Sequence, residues 1–323
     1  MERTGRTSPA VVAFGGGHGL SASLSALRLM SDRLTAVVTV ADDGGSSGRL
    51  REEMDVLPPG DLRMALSALC DDSDWGRLWR DVMQHRFHSE GSMNQHAVGN
   101  LLIVALWELL GDPVSGLDWV GRLLGARGRV LPMASVPVAI EADICAPGED
   151  RVHVVRGQSA VAAAPGKVCH VRLTPADPPV PADVLAALDT ADWVVLGPGS
   201  WFTSVLPHLL VPSIADALRR SPARRCLALN LFPEGGPGVG MTCHEHLDAL
   251  AEHVPDLRFD VVVADPSAID DLDRMHEQVE AIGGQLLLRQ VRVGDGTARH
   301  DALRLAAAFR DAFEGTLGDV GRR

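Results

Sequence analysis

The residue patterns best suited to chemistry are two glycine-rich turns, each following a short apolar run. The first is Gly15-Gly16-Gly17-His18-Gly19, which leads into a helical pattern. The second is Gly197-Pro198-Gly199-Ser200, with Thr203 shortly beyond it. Glycine lets backbone N–H groups approach a ligand phosphate, and a helix N-terminus adds partial positive charge. Both turns therefore predict a site for a phosphate-bearing ligand, and a plain connecting turn is the alternative for each.

An acidic and serine-rich segment follows the second apolar run. It reads Asp42-Asp43-Gly44-Gly45-Ser46-Ser47-Gly48-Arg49. Acids at the end of a second strand often bind ribose hydroxyls, and adjacent aspartates can hold Mg²⁺ together with ligand phosphates. We expect a loop that wraps a polar ligand; the alternative is a solvated turn.

Two further segments carry candidate ligand contacts. Asn230 and the run 234–238 come directly after a later apolar run. His96 and Asn100 are four positions apart, so one helix face can present both to a phosphate or sugar, or both can serve as caps. The only lysine is Lys167. Any side chain that neutralises a ligand phosphate is therefore an arginine, with Arg49 and Arg63 as the candidates.

Composition and charge argue against several classes of protein and of site. The chain has 323 residues and a net charge of −12, which argues against a nucleic-acid groove. Five cysteines without a Cys-x-x-Cys pair predict buried thiols in a reducing compartment, not a disulfide framework or a zinc site. Because no apolar run reaches membrane-spanning length and none resembles an export signal, we expect a cytoplasmic protein without membrane insertion.

The elements that must position these residues alternate between strand and helix. Continuous apolar runs predict buried strands, and periodic runs predict helices, with Asp61 as the N-cap of the helix over 62–69. Segment 129–173 instead holds short runs that predict an inserted β-rich region. The fold class is thus α/β: one Rossmann-like, doubly wound domain over 1–323 with a mainly parallel sheet. The strands are predicted at 10–14, 34–40, 193–196, 226–229, 261–264 and 285–293, and the helices at 20–30, 62–69, 78–85, 98–110, 205–218, 246–253, 272–282 and 302–313.

Taken in order, these segments resemble the YvcK family of gluconeogenesis factors over roughly residues 10–290. The matching motifs are the glycine turn at 15–20, the string from Thr39 to Arg51, Pro58-Pro59-Gly60-Asp61-Leu62-Arg63, His96-Ala97-Val98-Gly99-Asn100-Leu101, Arg127-Gly128-Arg129-Val130-Leu131-Pro132 and the run 196–204. His18 and the arginine-rich composition are most similar to actinobacterial members.

The resemblance implies a fold related to the CofD enzyme, 2-phospho-L-lactate transferase. It implies binding of UDP-sugars, notably UDP-N-acetylglucosamine, and a role in cell shape and wall precursor supply on gluconeogenic carbon sources. A homo-oligomer and a regulated protein partner are further expectations. In this reading the diphosphate lies over the first glycine turn, Asp42 and Asp43 face a ribose, sugar or cation, and Arg49 or Arg63 supplies charge. Ser46, Ser47 and the second glycine turn close the far side.

Two other functions stay open. The first is a phospholactate-type transferase that acts on a deazaflavin, with Asp42 or Asp43 as base or metal ligand, since a fold alone does not define a reaction. The second is an NAD-dependent oxidoreductase. That reading is weaker because Leu20 occupies the last glycine position of a G-x-G-x-x-G pattern and the chain has no tyrosine.

Overall fold

The main sheet has seven parallel strands. A computed structural model describes residues 8–145, 152–231, 241–295 and 297–316. The strands are β1 Ala10–Gly15, β2 Arg33–Val38, β3 Arg129–Pro132, β7 Trp193–Leu196, β8 Arg224–Ala228, β9 Val261–Ala264 and β10 Gln285–Leu288. Their order in the sheet is β10-β9-β8-β7-β1-β2-β3, and every neighbouring pair is parallel. Strands β1, β7 and β9 are buried along their whole length, as their unbroken apolar runs predict.

Helices flank this sheet and bury one face each. They are α1 Gly17–Leu27, α2 Gly45–Met54, α3 Gly60–Leu69, α4 Asp74–Gln84, α5 Val98–Leu110, α6 Pro113–Leu123, α7 Gln158–Ala163, α8 Ala182–Asp189, α9 Leu206–Leu210, α10 Pro212–Arg220, α11 Cys243–His253, α12 Leu272–Ala281 and α13 Ala302–Glu314. A π-helical turn, Trp201–Val205, precedes α9, and a 3₁₀ turn, Pro266–Ala268, follows β9. The α/β class with a mainly parallel sheet is therefore confirmed.

The small second sheet is antiparallel, in the order β5-β4-β6. Its strands are β4 Ala139–Cys145, β5 Val152–Arg156 and β6 Lys167–Thr174. Residues of β4 alternate between buried and half-buried, as in a strand with one covered face. The β-rich insertion was expected to begin at residue 129, but Arg129–Pro132 pairs with β2 in the main sheet. The antiparallel strands occupy residues 139–174.

A disulfide links strands β4 and β6 of the second sheet, contrary to the expectation that all five cysteines are thiols. Cys145 and Cys169 are bonded, with their Cα atoms 6.2 Å apart. Antiparallel pairing of β4 with β6 brings the two residues within the range that a disulfide spans. The other three cysteines, Cys70, Cys226 and Cys243, are buried thiols as expected.

Several helix and strand boundaries differ from expectation for local reasons. The helix expected over 205–218 is interrupted at Val211, because Pro212 cannot donate a backbone hydrogen bond and starts a new helix. The strand expected over 285–293 ends at Leu288. The segment from Gly45 onward is helix α2 rather than a wrapping loop. None of the helices in the described residues is long and apolar enough to span a bilayer.

The direction of the strand order reverses between β1 and β7. From β1 the chain adds β2 and β3 on one side, then returns to place β7 on the other. In open parallel sheets a crevice forms at such a point, outside the carboxyl ends of the strands. The first glycine turn follows β1 and the second follows β7. The topology thus places both turns at the reversal.

Candidate functional site

The two glycine turns are in direct contact. A Cβ atom on Gly19 would lie 2.1 Å from the carbonyl oxygen of Pro198 and 2.5 Å from the Cα of Gly199. The hydroxyl of Ser23 on α1 donates to the carbonyl of Gly197 over 2.7 Å. Glycine at position 19 is therefore required for the close approach of the turns. Gly17 serves differently, since its φ of +54° is a left-handed conformation that glycine adopts without strain.

Asn230 fixes the conformation of the second glycine turn. Its side-chain oxygen accepts the N–H of Gly199 at 2.9 Å, and its side-chain nitrogen donates to the carbonyl of the same residue at 2.9 Å. The hydroxyl of Thr203 donates to Ser200 Oγ. Asn230 thus supports the turn through both ends of its amide. The glycine-rich run 234–238, which was expected to extend the site after Asn230, lies outside the described residues.

A cleft of about 770 Å³ opens over the joined turns. One wall is the first part of α1, where His18 is exposed, and another is the second glycine turn with Thr203. Ala162 of α7 also lines it, as do Ala298, Arg299, His300 and Ala302. The first N–H groups of a helix have no intrahelical acceptor, so those of His18 and Gly19, which line the cleft, are donors for a ligand there.

Two aspartates lie beside the N-terminus of α1. Asp61 accepts the backbone N–H of Gly17, and burial, together with the negative charge of Asp42, raises the pKa of Asp61 from 3.8 to about 7. Asp42 in turn accepts the N–H of Gly44 at 3.0 Å. Asp61 was expected to cap its own helix; instead it lies in the first turn of α3, after Pro59 at the N-cap position. A carboxylate with a pKa this far raised is common at functional sites.

Four of the expected ligand contacts form a hydrogen-bonded cluster. Ser46 Oγ accepts N–H groups from Ala97 (3.3 Å) and Asn100 (3.0 Å), so its own proton points to His96 Nδ1, 3.1 Å away. Asn100 accepts the Nε–H of Arg63 at 2.9 Å. Burial, and then the charge of Arg49, lowers the pKa of His96. This cluster joins α2, α3 and α5.

The two candidate arginines are bonded to the protein itself. Arg49 donates to the carbonyls of Ser92 and Asn94 at 2.9 and 2.8 Å. Arg63 is buried and also bonds Gln84, and burial lowers its pKa to about 10. Neither guanidinium lines the cleft over the glycine turns.

Asp43 and Ser47 also lie away from that cleft. Asp43 is exposed and accepts the N–H of Ser159 at 2.8 Å. Ser47 is buried where α2 meets α3, and its Oγ would be 2.3 Å from a Cβ on Gly60. Of the two adjacent aspartates, Asp42 is the one whose charge acts on Asp61 beside α1.

The structure adds cleft residues that carry no local sequence signal. Arg299 and His300 line the cleft from a segment far from either glycine turn. Arg299 is paired with Asp295 at 2.6 Å on the surface. Burial lowers the pKa of His300 to about 4, so this ring is neutral. In the sequence these two residues are simply an arginine and a histidine just before the last helix. They form no motif that indicates a ligand site.

Known proteins are similar to this chain over nearly its whole length. The sequence profile described as 2-phospho-L-lactate transferase CofD matches residues 11–286. A gluconeogenesis factor homologue of Mycobacterium tuberculosis is 50% identical over 305 residues, which cover 93% of this chain and 89% of that protein. The chain belongs to the YvcK family. The gluconeogenesis factor of Halalkalibacterium halodurans is 36% identical over 328 residues, covering 96% of this chain and 98% of that protein.

The YvcK fold is also known from solved structures. A crystal structure of a UPF0052 family member from Bacillus halodurans superposes with a TM-score of 0.84 at 33% identity, covering 95% of this chain and 100% of that chain. The family match to CofD and the gluconeogenesis factors confirms the resemblance drawn from the motifs. The match to the CofD profile ends at residue 286, within β10.

Proposed function

We propose that this YvcK-family protein is a regulatory protein that binds a nucleotide-sugar, with UDP-N-acetylglucosamine as the foremost candidate. The observation that carries the proposal is the contact between the two glycine turns at the β1/β7 reversal, under a cleft of about 770 Å³. Ligand sites in proteins commonly have volumes of about 300–1,000 Å³. The cleft therefore suits a ligand of nucleotide-sugar size.

The chemistry of the cleft matches the parts of such a ligand. The N–H groups at the start of α1 suit a diphosphate, and Arg299, which lines the same cleft, supplies a positive charge. The hydroxyls of Ser200 and Thr203 lie where sugar hydroxyls need partners. In this arrangement Arg299 takes the neutralising role that the sequence suggested for Arg49 or Arg63.

We also propose that Mg²⁺ binds next to the diphosphate, at the two aspartates beside the start of α1. Asp42 and Asp61 offer carboxylate oxygens, which Mg²⁺ prefers, and ligand phosphates would complete its coordination. The raised pKa of Asp61 reflects burial and the charge of Asp42, and a bound dication would offset both. We expect Mg²⁺ to tighten UDP-sugar binding at pH 8 in the natural protein and to have no effect in Asp61→Asn.

The physiological role follows the family. The relatives' name of gluconeogenesis factor supports a function in growth on gluconeogenic carbon, with morphogenesis and wall precursor supply as the finer proposal. A regulator of this kind acts through a protein partner in the cytoplasm, and a homo-oligomer is the form we propose.

The test is calorimetric titration with UDP-N-acetylglucosamine, UDP-glucose, GDP and NAD, with and without Mg²⁺, followed by product analysis. Selective micromolar binding of a UDP-sugar without turnover is the expected result. Preference for GDP, or no binding of any UDP-sugar, contradicts the proposal. Binding of NAD alone would favour the oxidoreductase.

A phospholactate-type transferase is the second candidate, and the CofD match over residues 11–286 favours it. Asp42 is then the base or metal ligand, since it is coupled to Asp61 beside α1, whereas Asp43 is bonded to α7. Incubation with a deazaflavin acceptor and a guanosine-activated phospholactate donor tests this directly. Turnover that Asp42→Asn abolishes would replace the regulator with an enzyme.

A further inference from the structure

Asp43 contacts the inserted helix α7 rather than the cleft. Its Oδ1 accepts the N–H of Ser159, the second residue of α7, at 2.8 Å. A Cβ on Gly157, just before the helix, would lie 2.3 Å from Asp43 Oδ2. A Cβ on Gly44, the next residue after Asp43, would lie 2.9 Å from Ser159 Oγ. The start of α7 is thus seated tightly on the acidic segment.

Helix α7 has few other attachments. It is six residues long, and Val161 is its only fully buried side chain. The backbone N–H of Gly157 donates to Ile140 of β4 at 2.8 Å. A helix this short is unstable alone, since isolated helices need about 12–15 residues to persist in water. Its position therefore depends on contacts with its surroundings: the Asp43 contact at its start, and packing against β4, β5 and the π-helical turn.

The same helix forms part of the cleft. Ala162 lines the same cleft as the start of α1, and α7 packs against the π-helical turn Trp201–Val205, which follows the second glycine turn. A displacement of α7 would widen the cleft and remove one wall from any ligand in it. Asp43 is thereby linked to the cleft through α7.

We propose that Asp43 is a positioning residue: it holds α7 in place as a wall of the cleft by accepting the Ser159 N–H. What matters is the hydrogen-bond acceptor, not the charge. Where the proposal concerns ligand affinity, it rests on the proposed nucleotide-sugar function. Where it concerns the seating of α7, it stands on the contacts alone.

Two substitutions at Asp43 separate the acceptor from the charge. Asp43→Asn keeps an oxygen that can accept the Ser159 N–H, whereas Asp43→Ala removes it. Hydrogen exchange of the Val161 amide, which bonds the Gly157 carbonyl at 2.8 Å, reports the seating of α7 without any ligand. We expect exchange roughly fivefold faster in Asp43→Ala, and within about twofold of the natural protein in Asp43→Asn.

Ligand titration gives a second readout. UDP-N-acetylglucosamine should bind more weakly to Asp43→Ala, by at most about fivefold, because a smaller fraction of the protein then holds α7 in place, and nearly normally to Asp43→Asn. Gly157→Ala should resemble Asp43→Ala, because its new Cβ pushes on the carboxylate and its φ of +100° disfavours alanine. Glu52→Ala, which removes another exposed acid near the same surface, is the matched control.

The outcomes are distinct. Equal effects of the two Asp43 substitutions would overturn the proposal in favour of a charge or cation role, and no effect of either on exchange would overturn it outright. If the natural protein binds no UDP-sugar but exchange at Val161 follows the expected pattern, the nucleotide-sugar function fails and the positioning role stands.

Discussion

Replacing Asp61 by asparagine should make the protein more stable at alkaline pH. Asp61 lies beside the N-terminus of α1, and burial together with Asp42 raises its pKa from 3.8 to about 7. The folded state therefore favours the protonated acid. The stability that this preference contributes is fully present below pH 3.8 and is lost as the pH rises through 7. Asparagine keeps an oxygen to accept the Gly17 N–H and cannot ionise.

The size of the effect follows from the two pKa values. A difference of one between folded and unfolded pKa corresponds to about 1.4 kcal/mol. The rise of the Asp61 pKa from 3.8 to about 7 corresponds to about 4 kcal/mol. This is the upper limit on the increase in the free energy of unfolding that Asp61→Asn produces at pH 8. Near pH 4 the variant and the natural protein should be equally stable. Partial access of water to the carboxyl reduces the gain below that limit.

Urea unfolding at a series of pH values from 4 to 8 measures this difference directly. Asp42→Asn should shrink the pH dependence without removing it, because Asp42 is the lesser cause of the raised pKa. Asp177→Asn, a change at an exposed loop position, serves as the control. Equal stability of Asp61→Asn and the natural protein at pH 8 would refute the reasoning. If Asp61 serves a ligand or cation, the stabilised variant should also bind it more weakly, since functional sites often sacrifice stability.

Two further predictions concern packing and acid stability. Gly19→Ala should destabilise the fold by about 2 kcal/mol and weaken UDP-sugar binding, because the new Cβ meets the backbone of the second glycine turn. The control is Gly121→Ala in helix α6, where a Cβ has no neighbour nearer than 3.9 Å. This change should stabilise the fold by about 0.5–1 kcal/mol. Urea unfolding of both variants checks this, and a Gly19→Ala protein as stable as the natural one would contradict it. Burial lowers the pKa of His246 from 6.5 to about 4, so the stability from its neutral ring is lost as the pH falls from 6.5 through 4. His246→Phe should remove up to about 3 kcal/mol of that acid-induced loss, and an unchanged unfolding profile between pH 7 and 4 would contradict it.

Much of the fold could be predicted from local sequence. The apolar runs that became β1, β7 and β9 are buried on both faces, so they show no alternation, and glycines follow the first two. The two glycine turns were predictable for the same reason, since each follows such a run. Helix α2 was not, because Gly45–Met54 is mostly polar and its residues Ser46 and Ser47 are buried by contacts with other segments.

The candidate site was less predictable, because its residues meet through tertiary packing. Asp61 has the sequence position of a helix cap, yet it reaches the start of α1 because α3 packs against α1. Arg49 and Arg63 have the right chemistry for phosphate, and long side chains let them bond elsewhere. Arg299 and His300 lie some hundred positions beyond the second glycine turn, and only the folded chain shows them at the cleft.

The cleft draws its walls from segments spread along nearly the whole chain, from His18 on α1 to Ala302 at the start of α13. During synthesis the sheet strands leave the ribosome in order, and β1, β2 and β3 can pair before the rest exists. The cleft lacks its final wall until residues 298–302 have been added and folded back. Ligand binding would then distinguish a finished chain from a nascent or shortened one that already has most of the sheet.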